Sequence, residues 1–222
     1  MTEFNYWKRS QEAEKAFWNK ERYTRSHFSK DYWESELKNY CGKIKMDDFA
    51  GKDVLEIGCG PKGMIHFISA KKKVGLDPLI EKYKELDILE DGDVTHMVGV
   101  GEKIELADKV FDVVICFNVL DHSRIPEDVL KEIYRILKPR GKLLFHSHCV
   151  AWWVGPVRFL LRYIDKPHPW HFFPREIREM IKAAGFKSNF ESVSNFHWQA
   201  RNFIKHIVSK VIIKDYFAIL EK

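Results

Sequence analysis

The chain has 222 residues, enough for one α/β domain with modest additions. Hydrophobic residues make up 45% of it and charged residues 31%, the composition of an ordinary globular protein with a sizeable core. The net charge of +5 is spread along the chain, and its one compact basic run, at 71–73, is typical of a solvated turn. The sequence therefore gives no indication of a nucleic-acid partner.

The cysteines and the N-terminal residues favour a cytoplasmic location. The four cysteines are scattered without a C-x-x-C pair, which is typical of reduced thiols rather than of a disulfide framework or a zinc site. Residues 1–15 are polar and lack the apolar core of a signal peptide. The most apolar long stretch, 143–161, is interrupted by histidines, Pro156 and Arg158, so we expect no transmembrane segment.

The first part of the chain, residues 1–50, is rich in charged and aromatic residues. Its apolar side chains recur at mixed spacings of three and four residues, as in Trp33, Leu37 and Tyr40. We interpret this part as two or three short helices that cap one edge of the domain.

From Lys52 onward, predicted strands and helices alternate. Helices are predicted over KGMIHFISA and over IPEDVLKEIYRILKPRG, in which Pro126 lies near the first turn and Pro139 and Gly141 end the helix. Strands are predicted over KDVLEIG, KVGLD, VTHMVGV, FDVVICFN and KLLFHSH. Near-continuous apolar strands that alternate with helices indicate a parallel sheet covered on both faces.

The last third begins with an aromatic insertion. It continues with a helix over PREIREMIKAAGF, a strand over KSNFESVSNF, a helical stretch around FIKHIVSKVII and a final strand over DYFAILEK. The sequence thus predicts one domain over 1–222, divided into a helical cap (1–50), a core (51–148), a lid insertion (149–173) and closing helices and strands (174–222). The stretch AWWVGPVRFLLRYIDK fits a lid or lipid-facing patch and a helix packed on the core equally well.

A glycine-rich turn follows the first predicted strand. VLEIGCGPKG contains G-x-G-x-x-G at Gly58, Gly60 and Gly63. In an open parallel sheet, ligands bind beyond the carboxyl ends of the strands, where such a turn lets them approach the backbone. Several cofactor classes share this turn, but a Walker A phosphate loop is disfavoured because the G-K-[ST] sequence is missing.

Two acidic residues narrow the choice of cofactor. Glu56 lies two residues before Gly58, where a carboxylate would repel a pyrophosphate but would suit a cationic ligand. Asp77 ends the second predicted strand, where a carboxylate can accept both hydroxyls of a ribose. Sites for NAD use that second device too, so a Rossmann-type NAD(P) oxidoreductase stays as an alternative.

The segment from Lys52 to Phe186 resembles the class I S-adenosylmethionine-dependent methyltransferases. VLEIGCGPKG is similar to the first motif of that family and VGLDP to its second. GEKIELADKVFDVVICFNVLDH is similar to the segment that reaches the adenine, and EDVLKEIYRILKPRGKLL to the later helix, turn and strand. The resemblance implies a Rossmann-like, doubly wound, mostly parallel sheet of seven strands, with S-adenosylmethionine bound to the core.

The resemblance also implies which residues bind the cofactor. Members of the family often carry an acid for the adenine amine at the position of Val100, so either Glu102 substitutes for it or backbone groups near Gly101 and apolar packing hold the adenine. The implied cofactor-binding residues are Glu56, Gly58, Cys59, Gly60, Asp77, Gly101, Glu102 and Asn118.

The implied activity is direct in-line methyl transfer to a small molecule. The sequence FNVLDH departs from the N/D-P-P-Y/F pattern of enzymes that methylate planar nitrogens. The aromatic insertion favours an acceptor with an apolar or ring-bearing part, such as a lipid, a quinone precursor, a glycan unit or a secondary metabolite. A non-catalytic cofactor-binding module of the same fold is a second alternative.

Histidines are the candidates for a general base. If the acceptor is a hydroxyl, His148 on the fifth strand or His171 in the lid could remove its proton. We expect no metal, because no carboxylate or cysteine stands at ligand spacing from these histidines, and we assign no role to the loop residue His122. The sequence leaves peripheral membrane contact and the oligomeric state open.

Overall fold

The computed structural model describes residues 3–19, 28–90, 92–165, 168–196 and 211–222. Its centre is a seven-stranded sheet with the strand order β3-β2-β1-β4-β5-β7-β6. The strands are β1 (Asp53–Ile57), β2 (Lys72–Asp77), β3 (Thr95–Val98), β4 (Phe111–Phe117), β5 (Leu137–Val150), β6 (Lys187–Asn195) and β7 (Ile213–Glu221).

Strands β1 to β5 are parallel to one another, whereas β7 is antiparallel to both of its neighbours, β5 and β6. This confirms the mostly parallel sheet of seven strands that the sequence predicts. Strand β1 is central, and its last residue, Ile57, pairs with Leu76 of β2 and with Cys116 of β4. The residues that follow these three strands therefore meet at one edge of the sheet.

Helices cover both faces of the sheet. They are α1 (Glu3–Trp18), α2 (Lys30–Tyr40), α3 (Ile80–Glu85), α4 (Pro126–Ile136), α5 (Arg158–Ile164) and α6 (Pro174–Ala183). Helices α4 and α6 lie on one face, where Ile133 and Ile177 are buried with Phe145 of β5. Helices α2 and α3 lie on the other, where Leu37 and Ile80 are buried.

The helix that the sequence predicts after the glycine turn is reduced to a short 3-10 turn, Met64–His66. The chain must return to the start of β2 soon afterwards, and the N–H groups of Lys71 and Lys72 both donate to the carbonyl oxygen of Lys52. This return leaves no room for further helical turns, so the prediction of a full helix over KGMIHFISA is wrong.

The second half of the chain departs from the sequence prediction at both ends of β5. Helix α4 ends at Ile136, so Pro139 and Gly141, which were predicted to end that helix, belong to β5. Strand β5 continues to Val150, beyond KLLFHSH, because it pairs with β7 from Lys142 to Val150. The lid insertion then begins with a 3-10 helix over Trp152–Val157 and continues as α5. Most of the helical stretch expected around FIKHIVSKVII lies outside the described residues. The division into cap, core, lid and closing segment stays a prediction.

Candidate active site

The glycine turn after β1 depends on backbone conformations that favour glycine. Gly58 and Gly60 have φ angles of +67° and +55°. The N–H of Gly58 donates to the carbonyl oxygen of Leu76 at 2.7 Å, which ties the turn to the end of β2. A Cβ atom at Gly58 would lie 2.6 Å from Cγ2 of Val119, so a larger residue would clash at this position.

Glu56 supports this turn through hydrogen bonds to the backbone that follows it. Its carboxylate is buried and accepts hydrogen bonds from the N–H groups of Met64 at 3.3 Å and Ile65 at 2.8 Å. Burial raises the pKa of Glu56 to about 8. A Cβ atom at Gly63 would overlap this carboxylate, which explains the third glycine of the motif. Glu56 is not among the residues that line the candidate cofactor pocket, and a role of its carboxylate toward a cationic ligand stays a prediction.

Asp77 lies at the end of β2 and lines the pocket. Its Oδ2 accepts a hydrogen bond from the N–H of Gly60 at 3.0 Å, and its Oδ1 accepts one from the N–H of Leu79 at 2.8 Å. Burial raises the pKa of Asp77, although both N–H groups act to lower it. The side chain is thus held in one orientation, and the Tyr83 hydroxyl also donates to it. A carboxylate held in this way at the pocket wall can accept a ribose hydroxyl.

The loops after β3 and β4 form another part of the pocket wall. Three of the residues predicted to bind the cofactor, Gly101, Glu102 and Asn118, line it. Glu102 Oε1 accepts a hydrogen bond from the N–H of Arg124 at 2.6 Å. Asn118 has a φ angle of +54° and donates its N–H to the carbonyl oxygen of His146 at 3.0 Å. Asparagine tolerates this left-handed conformation better than most residues.

Helix α1 closes the pocket and contributes three lining residues that were not predicted from the sequence. Trp7, Gln11 and Glu14 lie on one face of α1 and line the pocket, which α1 narrows to about 100 Å³. Their spacing of four and then three residues is the signal that could have identified this face. Burial and then the nearby carboxylate of Asp77 raise the pKa of Glu14 to about 7.

A larger cavity of about 910 Å³ adjoins this pocket. Trp7 and Ser123 line both spaces, and the lid supplies Trp170, His171 and Phe172 to the larger one. The Trp170 indole N–H donates to the carbonyl oxygen of Ser123 at 2.8 Å, which fixes the lid against the loop after β4. The two spaces thus share a wall, as a cofactor site and an acceptor site must.

The candidate base His148 belongs to a buried cluster on β5 and β7. Its Nδ1 lies 2.9 Å from Oδ1 of Asp215, and the Nε2 of His146 lies 3.3 Å from the same oxygen. His148 is 31% exposed, whereas His146 and Asp215 are fully buried. Asp215 therefore orients both rings. His148 does not appear among the residues that line either space.

A second histidine and aspartate cluster stands between the two spaces. The candidate base His171 lines the larger cavity, and its Nε2 lies 3.2 Å from Oδ2 of Asp165. The Nδ1 of His168 lies 2.8 Å from the other oxygen of Asp165. Burial lowers the pKa of His168, but Asp165 and Asp121 outweigh it and raise that pKa to about 9. Burial lowers the pKa of His122, which lines the cofactor pocket, to about 4.

The structure brings most of the residues predicted to bind the cofactor to one pocket. The side chain of Cys59 is buried beside Gly75, and burial raises the pKa of its thiol, so it stands behind the turn with Glu56. Gly60 contacts the pocket through its hydrogen bond to Asp77. The predicted residues that line the pocket are Gly58, Asp77, Gly101, Glu102 and Asn118.

Comparison with known proteins identifies a family and several relatives. The family described as "Methyltransferase domain" matches residues 25–189. The thiol S-methyltransferase TMT1B of Homo sapiens is 32% identical over 143 residues, which cover 60% of this chain and 58% of the relative. A ubiquinone biosynthesis O-methyltransferase of Pseudomonas entomophila is 35% identical over 107 residues, 44% of this chain and 45% of the relative. The chain spans about half the length of the curated relatives it matches.

Solved structures show the same fold at low sequence identity. A S-adenosylmethionine-dependent methyltransferase of Thermotoga maritima superposes with a TM-score of 0.62 at 20% identity, covering 94% of this chain and 96% of the other. An N-methyltransferase of Haemonchus contortus, solved with S-adenosylhomocysteine, gives a TM-score of 0.57 at 18% identity, covering 84% of this chain and 51% of the other.

Proposed function

Because the chain belongs to the class I S-adenosylmethionine-dependent methyltransferases, we propose that it transfers the methyl group of that cofactor to a small-molecule acceptor. S-adenosylmethionine is the cofactor of the family, and methyl transfer is its kind of reaction. The observation that carries the proposal is the pair of adjoining spaces. Asp77 lines the smaller space, the lid rings line the larger one, and Trp7 and Ser123 separate them.

The charges around the smaller space suit this cofactor. Three carboxylates, those of Glu14, Asp77 and Glu102, line it. S-adenosylmethionine carries a sulfonium and an ammonium group, which nearby carboxylates stabilise. The same carboxylates would repel a dinucleotide pyrophosphate, which argues against the alternative of an NAD(P) oxidoreductase.

The chain's own groups would act by holding the two reactants together. Alignment of acceptor and sulfonium, with water excluded by the lid, is enough to promote an in-line displacement. If the acceptor is a hydroxyl, a base must take its proton. We propose His171, which lines the larger cavity, or His148, which Asp215 orients, for this role.

The lining of the larger cavity supports an acceptor with an apolar or ring-bearing part. Phe159, Trp170 and Phe172 line it together with polar and charged side chains from the lid and α6. The curated relatives include a thiol S-methyltransferase and a ubiquinone biosynthesis O-methyltransferase. We propose a small-molecule acceptor within the group of lipids, quinone-like compounds, glycan units and secondary metabolites.

We propose a cytoplasmic location because the cysteines form no disulfide bond. All four are free, and three of them are buried. Among the described residues, no helix combines the length and the apolar character that crossing a bilayer requires.

The test is a transfer assay with S-adenosylmethionine labelled in its methyl group. The acceptor panel contains short alkyl and aryl thiols, o-diphenols with and without an apolar tail, fatty acids and simple glycosides. We expect label in at least one class, and no label with Asp77→Ala. Binding of the cofactor without transfer to any acceptor would contradict the proposal and would support the non-catalytic module.

A further inference from the structure

Three side chains with metal-ligating atoms meet between the two spaces. Asp121 and His122 belong to the 3-10 turn Leu120–His122 that follows β4, and His168 comes from the lid. One ligand atom from each of these three residues lies within 4.8 Å of the other two. His122 lines the cofactor pocket and the next residue, Ser123, lines both spaces, so the group stands where cofactor and acceptor would meet.

The carboxylate of Asp121 is the unusual member of this group. It is 2% exposed, and within the described part of the chain its Oδ1 has no hydrogen-bond partner. A buried carboxylate oxygen without a partner is costly, and buried charges are normally paired or bound to a metal. Two other acids, Glu14 and Asp165, act on His168 together with Asp121, so this place collects negative charge.

The separation of Asp121 and His168 suits two ligands of one ion. The Oδ2 of Asp121 lies 4.0 Å from the Nε2 of His168, which is too long for a hydrogen bond. Oxygen and nitrogen ligands lie about 2.0–2.2 Å from zinc, so two ligands of the same ion are at most about 4.4 Å apart.

Neighbouring residues hold the three side chains in place. Asp165 lies 2.8 Å from the Nδ1 of His168 and so directs the other ring nitrogen toward Asp121. This carboxylate–histidine arrangement is the usual support of a metal-ligating histidine. The Nδ1 of His122 lies 3.2 Å from the Oγ of Ser10. The N–H of Trp170 donates to the carbonyl oxygen of Asp121 at 3.3 Å, which links the lid to the turn.

We infer that Asp121, His122 and His168 bind one divalent transition-metal cation of the Zn²⁺ class. Two imidazole nitrogens and one carboxylate oxygen suit such ions, and three protein ligands leave a coordination position open. On the proposed function, that position would hold the thiol or hydroxyl of the acceptor as its anion, with the proton released to water. The expectation of no metal rested on local spacing, whereas the fold brings these residues together from distant parts of the chain.

The other histidine and aspartate cluster is less suited to an ion. His146, His148 and Asp215 also place three ligand atoms within 4.8 Å of one another. In that cluster, however, both imidazole nitrogens already lie at 3.3 and 2.9 Å from the same oxygen of Asp215. That oxygen is engaged by both rings, so we expect no tightly bound ion there.

The test measures metal binding without cofactor or acceptor, so its outcome is independent of methyl transfer. Full-length protein is stripped with a chelator, titrated with Zn²⁺ by calorimetry, and loaded with Co²⁺ to record visible d–d absorption bands. We expect one Zn²⁺ per chain. Asp121→Asn and His168→Gln should each weaken Zn²⁺ binding about 100-fold or more, and Asp165→Asn about 10- to 100-fold.

His96→Gln, on the edge strand β3 and outside both spaces, should leave Zn²⁺ affinity and the Co²⁺ spectrum unchanged. Circular dichroism and S-adenosylmethionine binding report the folding of each variant, and His168→Gln and Asp165→Asn test the site should Asp121→Asn fail to fold. The inference is overturned if the stripped wild-type protein binds no Zn²⁺ stoichiometrically. It is also overturned if His96→Gln weakens binding as much as His168→Gln does.

Discussion

Asp77 connects the glycine turn to the ligand that the turn would hold. Its two oxygens accept the N–H groups of Gly60 and Leu79, so the orientation of the carboxylate is fixed before any ligand arrives. Groups held in this way need little reordering on binding, which favours affinity. The ribose of S-adenosylmethionine is the group that this carboxylate would bind.

We expect Asp77→Ala to lower S-adenosylmethionine affinity by about 2–4 kcal/mol, because a charged hydrogen-bonding group is lost from a buried site. Isothermal titration calorimetry measures this directly. Glu81→Gln, a change of an exposed acid on the neighbouring helix α3, is the control and should have no effect. Unchanged affinity in Asp77→Ala would remove the ribose assignment.

Glu56 predicts a pH dependence of stability. Burial raises its pKa to about 8 in the folded protein, above the value of 4.5 expected in the unfolded chain. The folded state therefore binds the proton more tightly, and the free energy of unfolding should fall as pH rises from about 4.5 to 8. One pKa unit corresponds to about 1.4 kcal/mol, so the loss should be on the order of 2 kcal/mol or more.

Glu56→Gln cannot ionise and should flatten this part of the profile. Urea denaturation at pH 5, 6, 7 and 8 would measure it in both proteins. Parallel profiles for wild type and variant would show that Glu56 ionises in the fold as it does in water.

Substitution of a candidate base should lower turnover without lowering cofactor affinity. We expect His171→Ala to lower the methyl-transfer rate about 100-fold or more while changing S-adenosylmethionine affinity little, because a base acts on the acceptor. His148→Ala should behave in the same way if the acceptor is a hydroxyl. A variant that loses thermal stability but keeps its turnover below the melting temperature would show that the histidine only supports the lid.

Residues of the cofactor pocket were predictable where each lies in a local sequence motif. Gly58 and Asn118 directly follow strands that the sequence shows clearly, and Asp77 is the last residue of such a strand. Glu14 and Asp121 were not predicted, because they reach the site from α1 and from the turn after β4. Side-chain direction also escapes a local pattern, since Glu56 occupies the expected position but faces the backbone behind the turn.

At the level of elements, α1 covers the cofactor pocket. The pocket of about 100 Å³ beneath it is smaller than the roughly 300–1,000 Å³ of typical ligand sites, so we expect α1 to move when a cofactor enters. The strands were predictable because each is a short apolar run, and six of the seven are confirmed close to their predicted bounds. The missing helix after β1 was not, since its length depends on the return path of the chain.

We expect Trp7→Ala to raise the dissociation rate of S-adenosylmethionine about tenfold, because the ring lines the pocket and packs near the guanidinium of Arg124. Stopped-flow fluorescence measures that rate. Lys8→Ala alters an exposed neighbour on the same helix and should leave the rate unchanged. Equal rates in the two variants would mean that α1 does not retain the cofactor.

At the scale of the whole molecule, the lid exposes large apolar side chains to the outside. Trp152 is 84% exposed and Tyr163 is 60% exposed. Exposed patches of this kind mark contact with other molecules or with membranes, where aromatic rings favour the interface. The lid therefore presents rings on its outside as well as to the cavity inside.

We expect the protein to sediment with phospholipid vesicles, and the double variant Trp152→Ser, Tyr163→Ser to do so several-fold less. Val193→Ser changes an exposed apolar residue on β6, away from the lid, and serves as the control. Wild-type protein that stays in the supernatant at all vesicle concentrations would contradict membrane contact through this patch.

Strand β7 is made after every other strand and yet lies between β5 and β6. During synthesis on the ribosome, the parallel half of the sheet can therefore assemble while β5 still has an open edge. Asp215, which orients His146 and His148, arrives only with β7. The candidate base is consequently incomplete until the last strand has been inserted, so a nascent or truncated chain with a finished cofactor turn would still lack the partner of His148.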